Sequence, residues 1–217
     1  MTEYIEREKI WPALNAACVP YNRATAKAIE DIPAADVRPV VRNEKKILDM
    51  TCGSRTIWFN KNHPAAVYCD KRREDFDLYF GKARTSLHTC HVSPDVLCDF
   101  TALPFPDNTF SLAVFDPPHL TGAKETAWLV KKYGKLDETW PQMLHDGFAE
   151  GMRVLKPDGV LIFKWSEYDI PADEVWKAIG QKPLFGHHSG KKSNTFWGCF
   201  MKFADCPNCG ADMREKS

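Results

Sequence analysis

The chemistry in this chain gathers where short apolar runs stop at a carboxylate. Leu112-Ala113-Val114-Phe115 runs directly into Asp116-Pro117-Pro118-His119. Two prolines fix φ and lack N–H donors, so the chain must leave that run as a stiff extended turn. The turn presents the Asp116 carboxylate and the adjacent peptide carbonyls as acceptors, a set that suits a planar –NH2 group with two N–H bonds. His119 adds a ring that can stack on a flat partner or take a proton near neutral pH. The pattern recurs upstream. Ile47-Leu48-Asp49 is followed by Met50-Thr51-Cys52-Gly53-Ser54, Ala65 to Cys69 ends at Asp70, and Asp95-Val96-Leu97-Cys98 ends at Asp99-Phe100. Gly53 and Ser54 let a ligand approach backbone amides. Asp70 follows Asp49 by 21 residues, the separation expected of a carboxylate that binds ribose hydroxyls.

Each apolar run is too short for a helix and reads as a buried strand. In an open parallel sheet the carboxyl ends of the strands line a ligand crevice, so acids at successive strand ends converge on one site. Downstream, Gly151 to Leu155 reads as a helix end, Pro157-Asp158-Gly159 as a turn, and Val160 to Trp165 as the next strand. Asn194 to Lys202 alternates weakly and reads as a last strand. Trp58-Phe59, Phe148, Trp176 and Phe196-Trp197 are expected to fill the core between helices and sheet. Basic residues cluster twice. Lys124, Lys131, Lys132 and Lys135 are interleaved with Trp128, Tyr133 and Trp140, and Gly186-His187-His188 leads into Lys191-Lys192. Both clusters are expected as loops or short helices near the strand ends, where basic and aromatic side chains suit phosphates and unstacked bases. Lys164, after the fifth strand, joins them as a candidate substrate contact.

Together these motifs resemble class I S-adenosylmethionine-dependent methyltransferases over residues 44–203. The resemblance implies a Rossmann-like α/β fold: a seven-stranded, mostly parallel sheet, the last strand antiparallel, with helices on both faces. By the same resemblance, Asp49, Thr51, Cys52, Gly53 and Ser54 cradle the methionine part of S-adenosylmethionine. Asp70 holds its ribose, Asp99 and Phe100 its adenine, and Asp116 borders it. Asp116-Pro117-Pro118-His119 is similar to the (Asp/Asn)-Pro-Pro-aromatic motif of enzymes that methylate exocyclic amino nitrogens of nucleobases, most nearly the small enzymes of phages and prophages. That implies catalytic roles for these residues and a nucleic-acid substrate, adenine N6 leading, contacted by Lys124, Lys131, Lys132, Lys164, Lys191 and Lys192. The chain departs from the pattern in two places: the first motif has Gly53 alone, and His119 stands where Tyr, Phe or Trp is usual.

The ends read differently. Residues 1–43 hold a helical stretch and a proline-spaced linker, and residues 204–217 carry Cys206-Pro207-Asn208-Cys209. A C-x2-C knuckle presents two thiolates to one zinc. Both ends resemble small phage zinc-ribbon proteins, and the tail is a candidate for self-association through shared zinc. The remaining cysteines are isolated; His88, Cys90 and His91 have no spacing that compels metal binding. A formal net charge of zero excludes a global field that draws the chain to nucleic acid. With no signal peptide and no long apolar span, a cytoplasmic protein away from membranes is expected, and its 8 cysteines are expected as thiols or ligands, not disulfides. Two rival readings share the fold: a methyltransferase acting on a small molecule or protein, and a non-catalytic cofactor-binding protein.

Overall fold

The structure, a computed structural model, describes residues 45–80, 86–122, 128–189 and 194–203. The N-terminal extension, Lys124, Lys191, Lys192 and the Cys206–Cys209 knuckle lie outside these residues. In chain order the strands are β1 (Ile47–Asp49), β2 (Ala66–Asp70), β3 (Glu74–Phe80), β4 (Ser86–Val92), β5 (Val96–Leu97) and β6 (Phe110–Phe115). Helices α1 (Trp128–Tyr133) and α2 (Trp140–Val154) follow, then β7 (Leu155–Ser166), α3 (Ala172–Ile179), β8 (Phe185–His188) and β9 (Thr195–Met201).

The main sheet has seven strands in the order β5-β2-β1-β6-β7-β9-β8. Pairing from β5 through β7 is parallel, and β9 is antiparallel to both β7 and β8. This is the seven-stranded, mostly parallel α/β arrangement expected from the sequence, with the last strand reversed. Strand order turns back between β1 and β6, the switch point at which doubly wound sheets open a ligand crevice. Asp49 closes β1 and Asp116 follows β6, so two of the sequence's acids flank that crevice.

Alternation along the strands divides the core. Leu48, Val67, Cys69, Ala113, Phe115, Leu161 and Phe163 point to one face and join Leu144, Phe148, Val154, Val175, Trp176 and Ile179 of α2 and α3. The apolar residues of α2, at 144, 147, 148, 151 and 154, recur at the spacing that keeps one helical face inward. On the other face, Ile47, Ala66 and Tyr68 pack with Cys52 and Trp58. No helix links β1 to β2: residues 50–65 form turns, and Trp58 from this loop covers that part of the sheet. Phe148 and Trp176 fill the core as expected, whereas Phe59 is fully exposed, because Trp58 alone turns inward from this loop. Asp158, at φ 61, folds Pro157-Asp158-Gly159 into the start of β7 as a bulge against β6, not as a separate turn.

Two elements were not legible as such. The β3–β4 hairpin is a separate two-stranded sheet between β2 and β5. Gly186-His187-His188 belongs to edge strand β8 rather than to a basic loop. No helix of the described residues is long and apolar enough to cross a membrane.

The α2 backbone approaches its neighbours closely at Gly147. A Cβ there would lie 2.5 Å from Phe100 Cδ2 and 2.8 Å from Phe115 Cζ. Gly147→Ala gains about 1 kcal/mol of helix propensity but meets overpacking of about 1–3 kcal/mol. We expect a net loss of about 1 kcal/mol in urea unfolding, because Phe100 must shift. Unchanged urea unfolding would contradict this packing.

Candidate active site

Two loops meet at the switch point. The Asp116 N–H donates to Thr51 Oγ1 at 3.0 Å, joining the turn after β6 to the turn after β1. Between them lies a cavity of about 60 Å³ lined by Met50 to Ser54, Asp70, Phe100, Asp116 and Pro118, with Lys132, Tyr133 and Gly134 completing its wall. The structure thus brings together Thr51, Cys52, Gly53, Ser54, Asp70, Phe100, Asp116, Pro118 and Lys132. Asp49 stands behind the wall: it is buried, accepting 2.6 Å from Trp58 Nε1 and 3.2 Å from the Thr51 N–H. Burial, against the Trp58 and Thr51 hydrogen bonds, pushes its carboxyl up to about 7. Asp99 is outside the cavity lining and caps its own turn, accepting from the Thr101 N–H and hydroxyl.

Gly53 supplies backbone freedom where the cradle needs it. Its φ is +48°, no atom lies within 4 Å of a notional Cβ, and its N–H donates to Asp70 Oδ2 at 2.9 Å. A side chain at this left-handed position would be strained, so one glycine does the work at the tip of the loop. Asp70 is also bonded through Oδ1 to the Arg72 N–H at 2.9 Å. Arg72 reaches further, its guanidinium donating to the Lys131 and Lys132 carbonyls at 2.9 and 3.3 Å. It thereby pins the end of α1 over the cavity. Gly134, at φ +80°, lies against Pro118, and the Leu136 N–H donates to the Leu120 carbonyl at 2.8 Å.

The Asp-Pro-Pro-His turn is braced from three sides. Lys164 Nζ donates to Asp116 Oδ2 at 2.7 Å, with both side chains mostly buried. Burial pushes the Asp116 carboxyl up, while the charge and hydrogen bond of Lys164 oppose that rise. Asp169 Oδ2 accepts from the Thr121 N–H at 2.7 Å and from the Gly122 N–H at 3.3 Å, anchoring the turn's far end. His119 is half-buried, with Tyr133 and Trp165 ring centroids at 5.9 and 6.2 Å. Burial holds its imidazole below the usual histidine range despite nearby Asp116. Trp165 is fully buried, donating to the Ile170 carbonyl. Lys164 alone of that pair faces the site, and its partner is Asp116. Lys131 is exposed on α1.

The polar lining fits S-adenosylmethionine: a glycine-tipped loop, a strand-end carboxylate at Asp70, an aromatic wall at Phe100 and a second carboxylate at Asp116. At about 60 Å³ the cavity is smaller than the several hundred Å³ that a ligand of that size occupies. Zinc finds no such support: among the described residues no group of three or more His, Cys, Asp or Glu side chains could hold a metal ion. Cys52, Cys69, Cys90, Cys98 and Cys199 are free thiols.

Sequence reasoning missed Arg72 and the pairing of Lys164 with Asp116. The signal for Arg72 was its place two residues past a strand-end acid, where its side chain can turn back over the site.

No protein-family profile matches this chain, and no curated protein matches it in sequence. Solved structures of similar shape include a protein from Pyrococcus horikoshii OT3, 15% identical over 72% of this chain and 81% of that one, TM-score 0.45. An rRNA methylase from Streptococcus thermophilus is 10% identical over 76% and 91%, TM-score 0.43. A SAM-dependent methyltransferase from Methanosarcina mazei is 12% identical over 75% and 94%, TM-score 0.42. Likeness at this level carries no argument about activity; the fold rests on the strand order itself.

Proposed function

We propose that this chain is an S-adenosylmethionine-dependent methyltransferase acting on the exocyclic amino nitrogen of a nucleobase, with adenine N6 the leading target. One observation carries the reading. A proline-stiffened turn at the sheet's switch point holds Asp116 on the wall of a cavity whose other walls suit that cofactor. When bound, the cofactor supplies a methyl group already activated on a sulfonium.

The protein's part is then alignment and charge. Asp116 Oδ2 is taken by Lys164, leaving Oδ1 to accept one N–H of the target amine. The Pro117 carbonyl, an acceptor with two lone pairs, takes the second N–H. Two such bonds draw the amine nitrogen toward tetrahedral geometry and stabilise the positive charge it gains. Its extra proton leaves to water after transfer, so Asp116 need not act as a strong base. Lys164 opposes the upward push of burial on the Asp116 carboxyl, and it leaves one carboxylate oxygen for the target. His119, braced within the turn, stiffens it and offers its open edge to the base.

A second reading has its own observation. Beyond Thr121 and Gly134 opens a groove of about 1060 Å³ whose lining includes Glu74, Asp137, Glu138 and Glu174 against Arg72, Lys131 and Lys135. A surplus of carboxylates repels phosphate and favours a cationic protein segment or small molecule. Incubation with methyl-labelled cofactor and separate pools of DNA, RNA and protein distinguishes the readings. Label in a nucleic-acid pool supports the first, and label only in protein or in small solutes supports the second. Cofactor binding without transfer to any pool overturns both in favour of a non-catalytic binding protein.

A further inference from the structure

The chain's charge is balanced overall but separated locally. A second groove, of about 460 Å³, lies between the 54–62 loop, β4 and the end of α1. Among the described residues its lining includes Arg55, Lys61, His88, His91 and Lys132, and no carboxylate. Two of these side chains already have carboxylate neighbours, Arg55 in Asp95 at 3.3 Å and His91 in Asp75 at 3.0 Å. Lys61 and Lys132 have no carboxylate partner among the described residues.

The groove is built rather than incidental. Arg55 sits at φ 55°, a left-handed conformation that non-glycine residues adopt only where their surroundings enforce it. Its guanidinium donates to the Lys61 carbonyl at 2.7 Å and the Ser93 carbonyl at 2.6 Å, and it lies 3.7 Å above the Tyr68 ring. One half-buried side chain thus ties the groove's two walls together. The groove also meets the proposed cofactor cavity directly, since Ser54, Thr56 and Lys132 line both.

We propose that this groove grips the phosphodiester backbone of a single nucleic-acid strand, with Lys61 and Lys132 as its phosphate contacts. The proposal rests on the nucleobase reading above and adds where the strand lies. A single strand is favoured because a base within a duplex must leave the stack to reach a recessed methyl donor. Hydroxyl and amide donors of Ser54, Thr56 and Asn62 along the groove accept any sequence, as backbone contacts do.

The test is anisotropy of fluorescently labelled single-stranded ribo- and deoxyribo-oligonucleotides over a salt series, without cofactor. Each phosphate neutralised on a single strand contributes roughly 0.7 to the salt slope. The Lys61→Gln/Lys132→Gln variant should therefore lose about 1.4 from the slope and roughly tenfold in affinity at low salt. Lys156→Gln, exposed at the opposite end of the sheet, should match the wild type. If the double variant fails to fold, Lys61→Gln alone should lose about 0.7. A slope equal to wild type in folded variants, or no binding of either oligonucleotide by the wild type, overturns the groove. Retained base methylation with an unchanged slope sinks the groove alone. Strand binding through Lys61 without any methylated base sinks the functional reading alone.

Discussion

Asp116→Ala is expected to lower kcat on a nucleobase amine by about 10²–10³-fold, the loss typical of removing one preorganised charge-stabilising group. Cofactor affinity should change far less, because Thr51 to Ser54, Asp70 and Phe100 form most of the cavity wall. The alanine variant also strands the Lys164 ammonium beside the site, which costs stability. Asp116→Asn is therefore the companion. It keeps the shape and one acceptor oxygen, and it too should lose most activity while folding normally. A kcat close to wild type in Asp116→Asn, with the protein folded and binding cofactor, would remove the proposed role.

Lys164→Met should separate the chemistry from the packing. Burial pushes the Asp116 carboxyl up, and Lys164 is the first of the groups that hold it down. Without Lys164, Asp116 takes up a proton at a higher pH. The active form is the carboxylate, so the acid limb of kcat should move to higher pH, with activity recovered in part as pH rises above it. Lys164→Arg keeps a cation at the same place and should return the limb toward its wild-type position. A purely structural role predicts something else, a uniform loss across the pH range with no displacement of the limb. The pH profiles of the three proteins decide between the two.

Much of this site was legible because parallel sheets convert sequence order into geometry. Asp49, Asp70, Asp99 and Asp116 each end or follow an apolar run, and parallel pairing places all four at one edge of the sheet. Two consequences of the same rule could not be read ahead. Asp49 and Asp70 point to the face covered by Trp58, yet only Asp70 reaches the cavity, because Trp58 Nε1 draws Asp49 behind the wall. Asp99 is turned aside by Thr101 of its own loop.

What was not legible depends on pairs far apart in the chain. Lys164 and Asp116 are 48 residues apart and meet because β6 and β7 are neighbours in register. The β3–β4 hairpin was obscured by composition. Glu74-Asp75-Phe76-Asp77-Leu78 alternates only over a short, acid-rich stretch, and His88, Cys90 and His91 read as isolated ligand-type residues rather than as part of a strand pair. Phe59 was expected in the core on residue type alone; neighbouring Trp58 takes that place, and Phe59 faces solvent. Residue type indicates what a side chain can do, and only its neighbours in space decide which of those things it does.

The most direct measurement is nucleoside mass spectrometry of RNA and DNA after incubation with a trideuteromethyl-labelled cofactor, wild type beside Asp116→Asn. The account predicts a deuterated methyl group on an exocyclic nitrogen, N6-methyladenosine or its deoxy form first, made by the wild type and not by the variant. A deuterated methyl group on a ring nitrogen, a ring carbon or a ribose hydroxyl, or equal product from both proteins, would contradict it.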